Sequence, residues 1–367
     1  MKKKALVTGG CGFVGRRYVK QLIERGYHVT IVDDLSTGLP PRAWRAPSAL
    51  SDRQARHMTF HQCDFREYAR EASPEFDLIV HLAAVVGGRM TIEGDPLAVA
   101  TDLAIDATFF NWVVRSPRPE QVLYFSSSAA YPIHLQTPEN HRPLSEDMIV
   151  FDENMGVPDM TYGWSKLTGE FLARFAARDY DLNVITFRPF SGYGEDQAFT
   201  YPFPSVIRRV ARKESPIVVW GSGRQMRDFI HIDDVVEATF AAAERLQPGD
   251  VINLGSGVGT TFVELAKLAS DVLGHDAEIV NDSSKPEGVF ARVGDCRRML
   301  ELYEPKISLS EGIERVYRYQ AALPLNTNRH ATNGTGDQDV KARPVRASVE
   351  ARSGTNGVEA MAKKPSS

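Results

Sequence analysis

The sequence predicts an α/β fold, a doubly wound parallel sheet covered by helices on both faces, followed by a smaller C-terminal lobe. Three observations predict it. A glycine-rich turn directly follows the first apolar run, and short apolar runs alternate with helical patterns from Lys2 to about Gln320. After Arg188 the texture changes to proline-punctuated loops and shorter strands.

The first strand, "KKALVT", passes through the turn into a helix that runs to Glu24, with Gly26 placed to end it. The runs "HVTIVD" (28–33), "MTFHQCD" (58–64), "FDLIVHLA" (76–83), "QVLYFSS" (121–127) and "LNVITFR" (182–188) continue the series to six parallel strands. Helices are expected at 96–115 and 162–178. Beyond 188 come the short strands "IVVW" (217–220) and "VINLG" (251–255), with helices near 233–246 and 261–273. Residues 321–367 contain no Phe, Trp or Tyr, so they cannot bury enough apolar area to offset the entropy of ordering, and a disordered tail is expected.

Composition narrows the function. The chain has 367 residues, 43% hydrophobic and 25% charged, which describes a globular protein with a sizeable core. A net charge of -4 without long blocks of one sign gives no reason to expect a nucleic acid or membrane partner, and points to a small molecule. Cys11, Cys63 and Cys296 are too far apart for a CxxC pair and odd in number, so neither a metal site nor a disulfide framework is expected. They fit a reducing cytosol. The start "MKKKALV" turns at once into a strand, with no apolar stretch long enough for targeting, and a cytoplasmic location is expected.

The stretch "VTGGCGFVGRRYV" sits in a βαβ context, and the next strand ends in Asp33, 18 residues beyond Gly15. This is the pattern of a dinucleotide site. Gly9 permits the tight turn, Gly12 lets the backbone approach a pyrophosphate, and Gly15 lets helix and strand pack closely. Phe13 and Val14 open the helix whose N-terminal N–H groups face the phosphates. Asp33 would accept hydrogen bonds from the adenosine ribose and repel a 2′-phosphate, which favours NAD over NADP. Arg16 and Arg17 follow the loop and are the counter-signal, since either could serve a phosphate.

Two further stretches carry chemistry. "YFSSSAAYP" lies at the carboxyl end of the fifth strand, where open α/β sheets bind ligands. "MTYGWSKLTGE" opens a helix and places Tyr162 and Lys166 at i and i+4 on one face. An ammonium group and an oxidised nicotinamide both favour the phenolate, which brings the tyrosine toward use as a general base, with a nearby Ser sharing the substrate hydroxyl.

With these residues the sequence resembles the extended short-chain dehydrogenase/reductase family, in its branch of NAD-dependent sugar-nucleotide epimerases and dehydratases. The resemblance runs from residue 4 to about 315 through "TGGCGFVG", "VDDLSTG", "CDF", "HLAA", "FSSSAAYP", "YGWSK", "FRPFSGYG" and "MRDFIHIDD". It implies a Rossmann-type NAD-binding domain at 1–188, to which later segments return, and a substrate-binding lobe at 189–320. It further implies that Tyr162 is the acid/base, Lys166 its partner and a nicotinamide-ribose ligand, and Ser127 the active-site hydroxyl, with Ser126 and Ser128 as neighbours. Asp64 and Phe65 would contact adenine, Leu82, Ala83 and Ala84 would wall the cofactor cleft, and Pro189 would pass near the nicotinamide. On the substrate side, Arg227 would grip the nucleotide pyrophosphate, and Glu287 or Arg292 would lie near the nucleoside. Ser191 stands where the family usually has Asn, so phosphate contacts are expected to differ. Asp102 stands where Asn is frequent, and no catalytic role is assigned to it.

The reaction is read from what accompanies the Ser, Tyr and Lys. Family dehydratases place an Asp-Glu pair after the active-site hydroxyl, and decarboxylases usually keep a Glu there; here the pair is Ser128-Ala129. The loop "VVGGRM" resembles the sugar-contacting loop of GDP-mannose 3,5-epimerases, which makes Gly87, Gly88 and Arg89 substrate contacts. Those enzymes need a second Cys/Lys pair, yet Ala129 occupies the Cys position and "AFTYPFP" (198–204) offers no Lys. What remains is hydride chemistry at one carbon, an NAD-dependent 4-epimerase of a GDP- or UDP-linked hexose, uronic acid or heptose, with a dehydratase or ketoreductase as the alternative. A homodimer through the helices at 96–115 and 162–178 is expected from the family.

Overall fold

The computed structural model describes residues 2–72, 75–85, 94–285 and 287–323. Gly87, Gly88 and Arg89, and the expected tail beyond 323, lie outside these described residues. Strands follow in chain order as β1 (Lys4–Thr8), β2 (His28–Asp33), β3 (Met58–Gln62), β4 (Leu78–His81), β5 (Gln121–Phe125) and β6 (Val184–Pro189). They continue as β7 (Ser191–Tyr193), β8 (Ile217–Trp220), β9 (Met226–His231), β10 (Val251–Leu254), β11 (Gly259–Thr261), β12 (Ile279–Asp282) and β13 (Ala291–Arg292). The longer helices are α1 (Phe13–Glu24), α2 (Phe65–Glu71), α3 (Thr101–Val113), α4 (Met160–Tyr180), α5 (Pro202–Ala211), α6 (Ile232–Ala243), α7 (Phe262–Val272) and α8 (Leu309–Ala322).

Alternate side chains of the central strands feed two different helix layers, as a sheet covered on both faces requires. In β1, Ala5 and Val7 join a cluster with Tyr18, Val19 and Leu22 of α1 and Val235 and Val236 of α6, while Leu6 joins Phe65, Phe109 and Trp112 on the opposite face. In β5, Leu123 and Phe125 face the first layer and Val122 and Tyr124 the second. The strand order is β10-β6-β5-β4-β1-β2-β3, and every pair is parallel. Because β2 and β4 lie on opposite sides of β1, the order reverses there, and the crevice beyond the carboxyl ends of β1 and β4 is where such sheets bind ligands.

This seven-stranded sheet corrects the expectation of six. "VINLG" pairs in register with β6, Val251 beside Thr186 and Leu254 beside Pro189. Its sequence is a short apolar run that would suit either lobe; the buried face of α6, packed on the sheet, carries the chain back to the edge of β6.

A third cluster, around Phe203, Ile207, Phe229, Leu265 and Ile313, joins α5, α7 and α8 to the later strands. There β11, β9 and β13 form one small sheet with β7 added beside β9, and β12 pairs with β8. All of this belongs to one contact unit, residues 1–324. No helix among the described residues is long and apolar enough to cross a membrane.

Candidate functional site

The glycine turn is held against the ends of β1 and β4. Gly9 has φ +68°, and a Cβ there would lie 2.8 Å from the Ala83 nitrogen. A Cβ on Gly15 would collide with the Gly9 carbonyl oxygen, so the helix can approach the turn only without a side chain. α1 starts at Phe13 with no side-chain cap and no acidic residue in its first turn. The N–H groups of Phe13, Val14 and Gly15 therefore have no intrahelical acceptor and stand at the positive end of the helix dipole. Asp33 closes the far side: one carboxylate oxygen accepts the Cys11 N–H at 2.9 Å and the other the Leu35 N–H at 2.8 Å. Each oxygen keeps a lone pair for a ribose hydroxyl. The residues present fit a dinucleotide.

Arg16 and Arg17, which the sequence left open as phosphate ligands, are turned away and buried. Arg16 pairs with Asp196 at 2.9 Å, and Arg17 with Glu195 at 2.9 Å and Asp196 at 2.8 Å. They join α1 to the segment after β7 and do not compensate a 2′-phosphate. Glu195, His231 and Asp233 also lie within 4.8 Å of one another. His231 Nδ1 accepts the Asp233 N–H at 3.2 Å, which leaves the ring proton on Nε2, 3.5 Å from Glu195. A protonated Nε2 beside a guanidinium is a structural staple, not a metal ligand. His231 and Arg17 hold Glu195 at about 2 against the opposing effect of burial.

The wall of the crevice is a polar network missing from the sequence reading. The Thr8 hydroxyl accepts the N–H groups of Leu82 and Ala83, both at 3.2 Å, and donates to His81 Nδ1 at 2.7 Å. That tautomer lets His81 Nε2–H donate to Asp106 at 3.1 Å, while Tyr124 donates to the other Asp106 oxygen at 2.6 Å. The expected cofactor wall, Leu82 to Ala84, is thus tied to β1 and α3.

Ser127 and Tyr162 meet. Ser127 follows β5, its Oγ accepts the Ala129 N–H at 3.1 Å, and its side chain lies close enough to the Tyr162 phenol to lower it. Lys166 lies one turn further along α4, its Nζ 5.8 Å from the Tyr162 ring centroid. Burial pushes the Tyr162 phenol up, Lys166 pulls it down, Asp102 raises it, Ser127 lowers it and Asp106 raises it. Burial alone would lower Lys166, but Asp106, Asp102 and Tyr162 outweigh it and the ammonium is held above its ordinary value. The arrangement can move a proton at one oxygen beside a cofactor crevice. Ser128 and Ala129, next in the chain, are buried and contribute no acid or base.

On the substrate side, β9 and β13 place Arg227 and Arg292 in register. Arg227 bonds the Val289 carbonyl at 3.0 Å, two residues from Glu287, whose carboxylate is bonded by Ser222. Arg292 reaches Gln136 at 2.8 Å and Asp159 at 2.8 Å, linking the lobe to the start of α4. Ser191 pairs with Phe229 beside β9, and Pro189 ends β6 against Leu254. Asp64 N-caps α2 by accepting the Arg66 N–H at 2.7 Å and is ion-paired to the Arg66 side chain, which holds its carboxyl below its ordinary value; Phe65 is packed in the core.

Comparison with known proteins agrees with this geometry. The model of the NAD dependent epimerase/dehydratase family matches residues 5–255. The chain is 30% identical over 254 residues to a putative GDP-L-fucose synthase 2 of Oryza sativa subsp. japonica, covering 66% of this chain and 71% of that protein. It is 27% identical over 343 residues to a putative UDP-glucose 4-epimerase of Methanocaldococcus jannaschii, covering 88% and 99%. The crystal structure of UDP-glucose 4-epimerase from Thermotoga maritima with UDP-glucose superposes with a TM-score of 0.72 at 28% identity, covering 87% of this chain and 98% of that one. The chain belongs to the NAD dependent epimerase/dehydratase family.

Proposed function

We propose that the protein is an NAD-dependent sugar-nucleotide 4-epimerase. The observation that carries this reading is a proton-transfer group, Tyr162 with Ser127 and Lys166, that has no second acid/base pair beside it at Ser128 and Ala129. The glycine turn, Asp33, Lys166 and the Leu82–Ala84 wall would hold NAD, which supplies the acceptor and donor for the hydrogen of carbon 4. Tyr162 takes the proton of the carbon-4 hydroxyl as that carbon becomes a carbonyl, and returns it once the ketone has presented its other face. Ser127 shares the hydrogen bond to the same oxygen, and Lys166 stabilises the phenolate in a water-poor site. Arg227 anchors the pyrophosphate while the sugar turns, with Ser191 at the phosphates and Glu287 or Arg292 near the nucleoside. The resemblance of their loop implies that Gly87, Gly88 and Arg89, outside the described residues, would contact the sugar. UDP- and GDP-linked hexoses, uronic acids and heptoses are the substrate class.

The exposed Leu97, Leu103, Trp164 and Phe171 on the paired helices α3 and α4 and the short helix Pro96–Val99 support a homodimer interface there. A homodimer would cover them, and sedimentation at micromolar concentration reads it directly. A cytosolic location fits the three free cysteines. The activity is tested by incubating the NAD-loaded protein with a panel of sugar nucleotides and resolving products by stereochemistry. A 4-epimer formed with no added reductant supports the reading. Loss of water, or stoichiometric use of NADPH, would make the protein a dehydratase or a ketoreductase instead.

A further inference from the structure

Asp102 is fully buried at the start of α3. One of its carboxylate oxygens accepts the Val85 N–H at 2.5 Å. The other has no hydrogen-bond partner among the described residues, although it is buried, and it lies 4.0 Å from Lys166 Nζ. A carboxylate oxygen out of water and without a donor is costly unless a charge compensates it. The compensating charge here is the ammonium group assigned above to the phenol. Asp106, one turn along α3, is the second anion near Lys166, but both its oxygens are already bonded, by His81 and Tyr124.

We propose that Asp102 is a positioning residue acting through Lys166: its open oxygen holds Nζ toward α3 and so tempers the positive charge that Lys166 presents to the Tyr162 phenol. The proposal rests on the reading of Tyr162 as the proton-transfer group. The groups facing this carboxylate are Lys166 and Tyr162 from α4, Asp106 from its own helix and Tyr124 of β5, whose phenol it raises, with His81 of β4 bonded to Asp106. Burial pushes the Asp102 carboxyl up to about 6, against the pull of Lys166. It is therefore charged at neutral pH, where it opposes formation of the phenolate. The Asp106 charge still favours the ammonium when Asp102 is neutral, so removing the Asp102 charge frees Lys166 for the phenol without neutralising it.

The test reads the phenol directly, with no substrate. Tyr162 is titrated by ultraviolet difference absorbance in NAD-loaded protein, as the difference between each protein and the same protein carrying Tyr162→Phe. Asp102→Asn keeps an acceptor for the Val85 N–H, and Asp102→Ser is a second neutral variant in case the amide fails to fold. Each is expected to lower the Tyr162 midpoint by about one pH unit, the size of effect a nearby charge produces. An unchanged or raised midpoint in the folded variants overturns the proposal. If no epimer is ever formed, the epimerase reading fails while this titration still reports on Asp102 and Lys166, so the two failures are distinguishable.

Discussion

Glu170→Gln removes one charge from a pair that is almost wholly out of water, each side chain being 2% exposed. Arg188 Nε donates to one Glu170 oxygen at 2.9 Å and Nη2 to the other at 2.7 Å, while Nη1 donates to the Tyr131 hydroxyl at 3.0 Å and the Glu146 carbonyl at 2.9 Å. A glutamine can accept only one of the two donors from Glu170's side, and its amide N–H₂ would face the other guanidinium N–H. The variant therefore leaves a buried, under-compensated cation, a defect that costs about 3–5 kcal/mol. Spread over the unfolding entropy of a unit of 324 residues, that is a fall in Tm of roughly 4–7 °C. Ser126 donates to the same Glu170 oxygen as Arg188 Nε, so repacking of the pair loosens the strand end that carries Ser127 and turnover falls with stability. Scanning calorimetry of the single variant and of Glu170→Met with Arg188→Met is the assay, because replacing both charges by apolar groups restores most of the loss. A single-variant shift below about 1.5 °C, or a double variant no better than the single, would refute the claim that this pair supports the site.

Tyr162→Phe should lower kcat by about 10²- to 10⁴-fold with NAD affinity nearly unchanged, because only the phenolic oxygen is lost; residual turnover above about one per cent excludes Tyr162 as the proton-transfer group. Asp33→Ala should weaken NAD binding and narrow its advantage over NADP, measured by calorimetric titration of both; a native preference for NADP contradicts the role given to Asp33. Asp102→Asn should change the pH dependence of stability. Because burial raises the folded Asp102 carboxyl from 3.8 to about 6, its contribution is fully present below about pH 4 and is lost as pH rises to about 6. The variant should thus gain on the unmodified protein across that window, by roughly 3 kcal/mol at pH 7, and parallel Tm curves would count against it.

What could be read in the sequence was what local spacing encodes. The turn from Gly9 to Gly15, Asp33 at the end of the next strand, and Tyr162 and Lys166 one helical turn apart are each set by a single strand, turn or helix, and each appears in the structure where the spacing puts it. What could not be read depends on partners brought together by the sheet. Thr8 and His81 are 73 residues apart, and Arg17 and Glu195 are 178 apart. No periodicity marks such pairs, so Arg17 kept an open phosphate role and the Thr8–His81–Asp106 network went unseen. Asp102 was visible only as an unusual residue before a helix, because its meaning comes from the position of Lys166 across the α3–α4 contact. The strand at 251–254 is legible, but its sheet is not, since Val251, Ile252 and Leu254 carry no record of their neighbour.

In the proposed reaction, proton transfer occurs at one oxygen and nowhere on carbon. As the proposed proton-transfer group, Tyr162 would exchange its proton with solvent and in heavy water deliver deuterium only to the carbon-4 oxygen, where it washes out again. Dehydration, or epimerisation at carbons 3 and 5, must instead place a solvent-derived hydrogen on carbon, and the acid and base for that step are absent at Ser128 and Ala129. The decisive measurement is the mass of the sugar-nucleotide product formed in heavy water and returned to ordinary water. A 4-epimerase yields an epimer of unshifted mass, and a carbon-bound gain of one deuterium or a loss of water would overturn that reading.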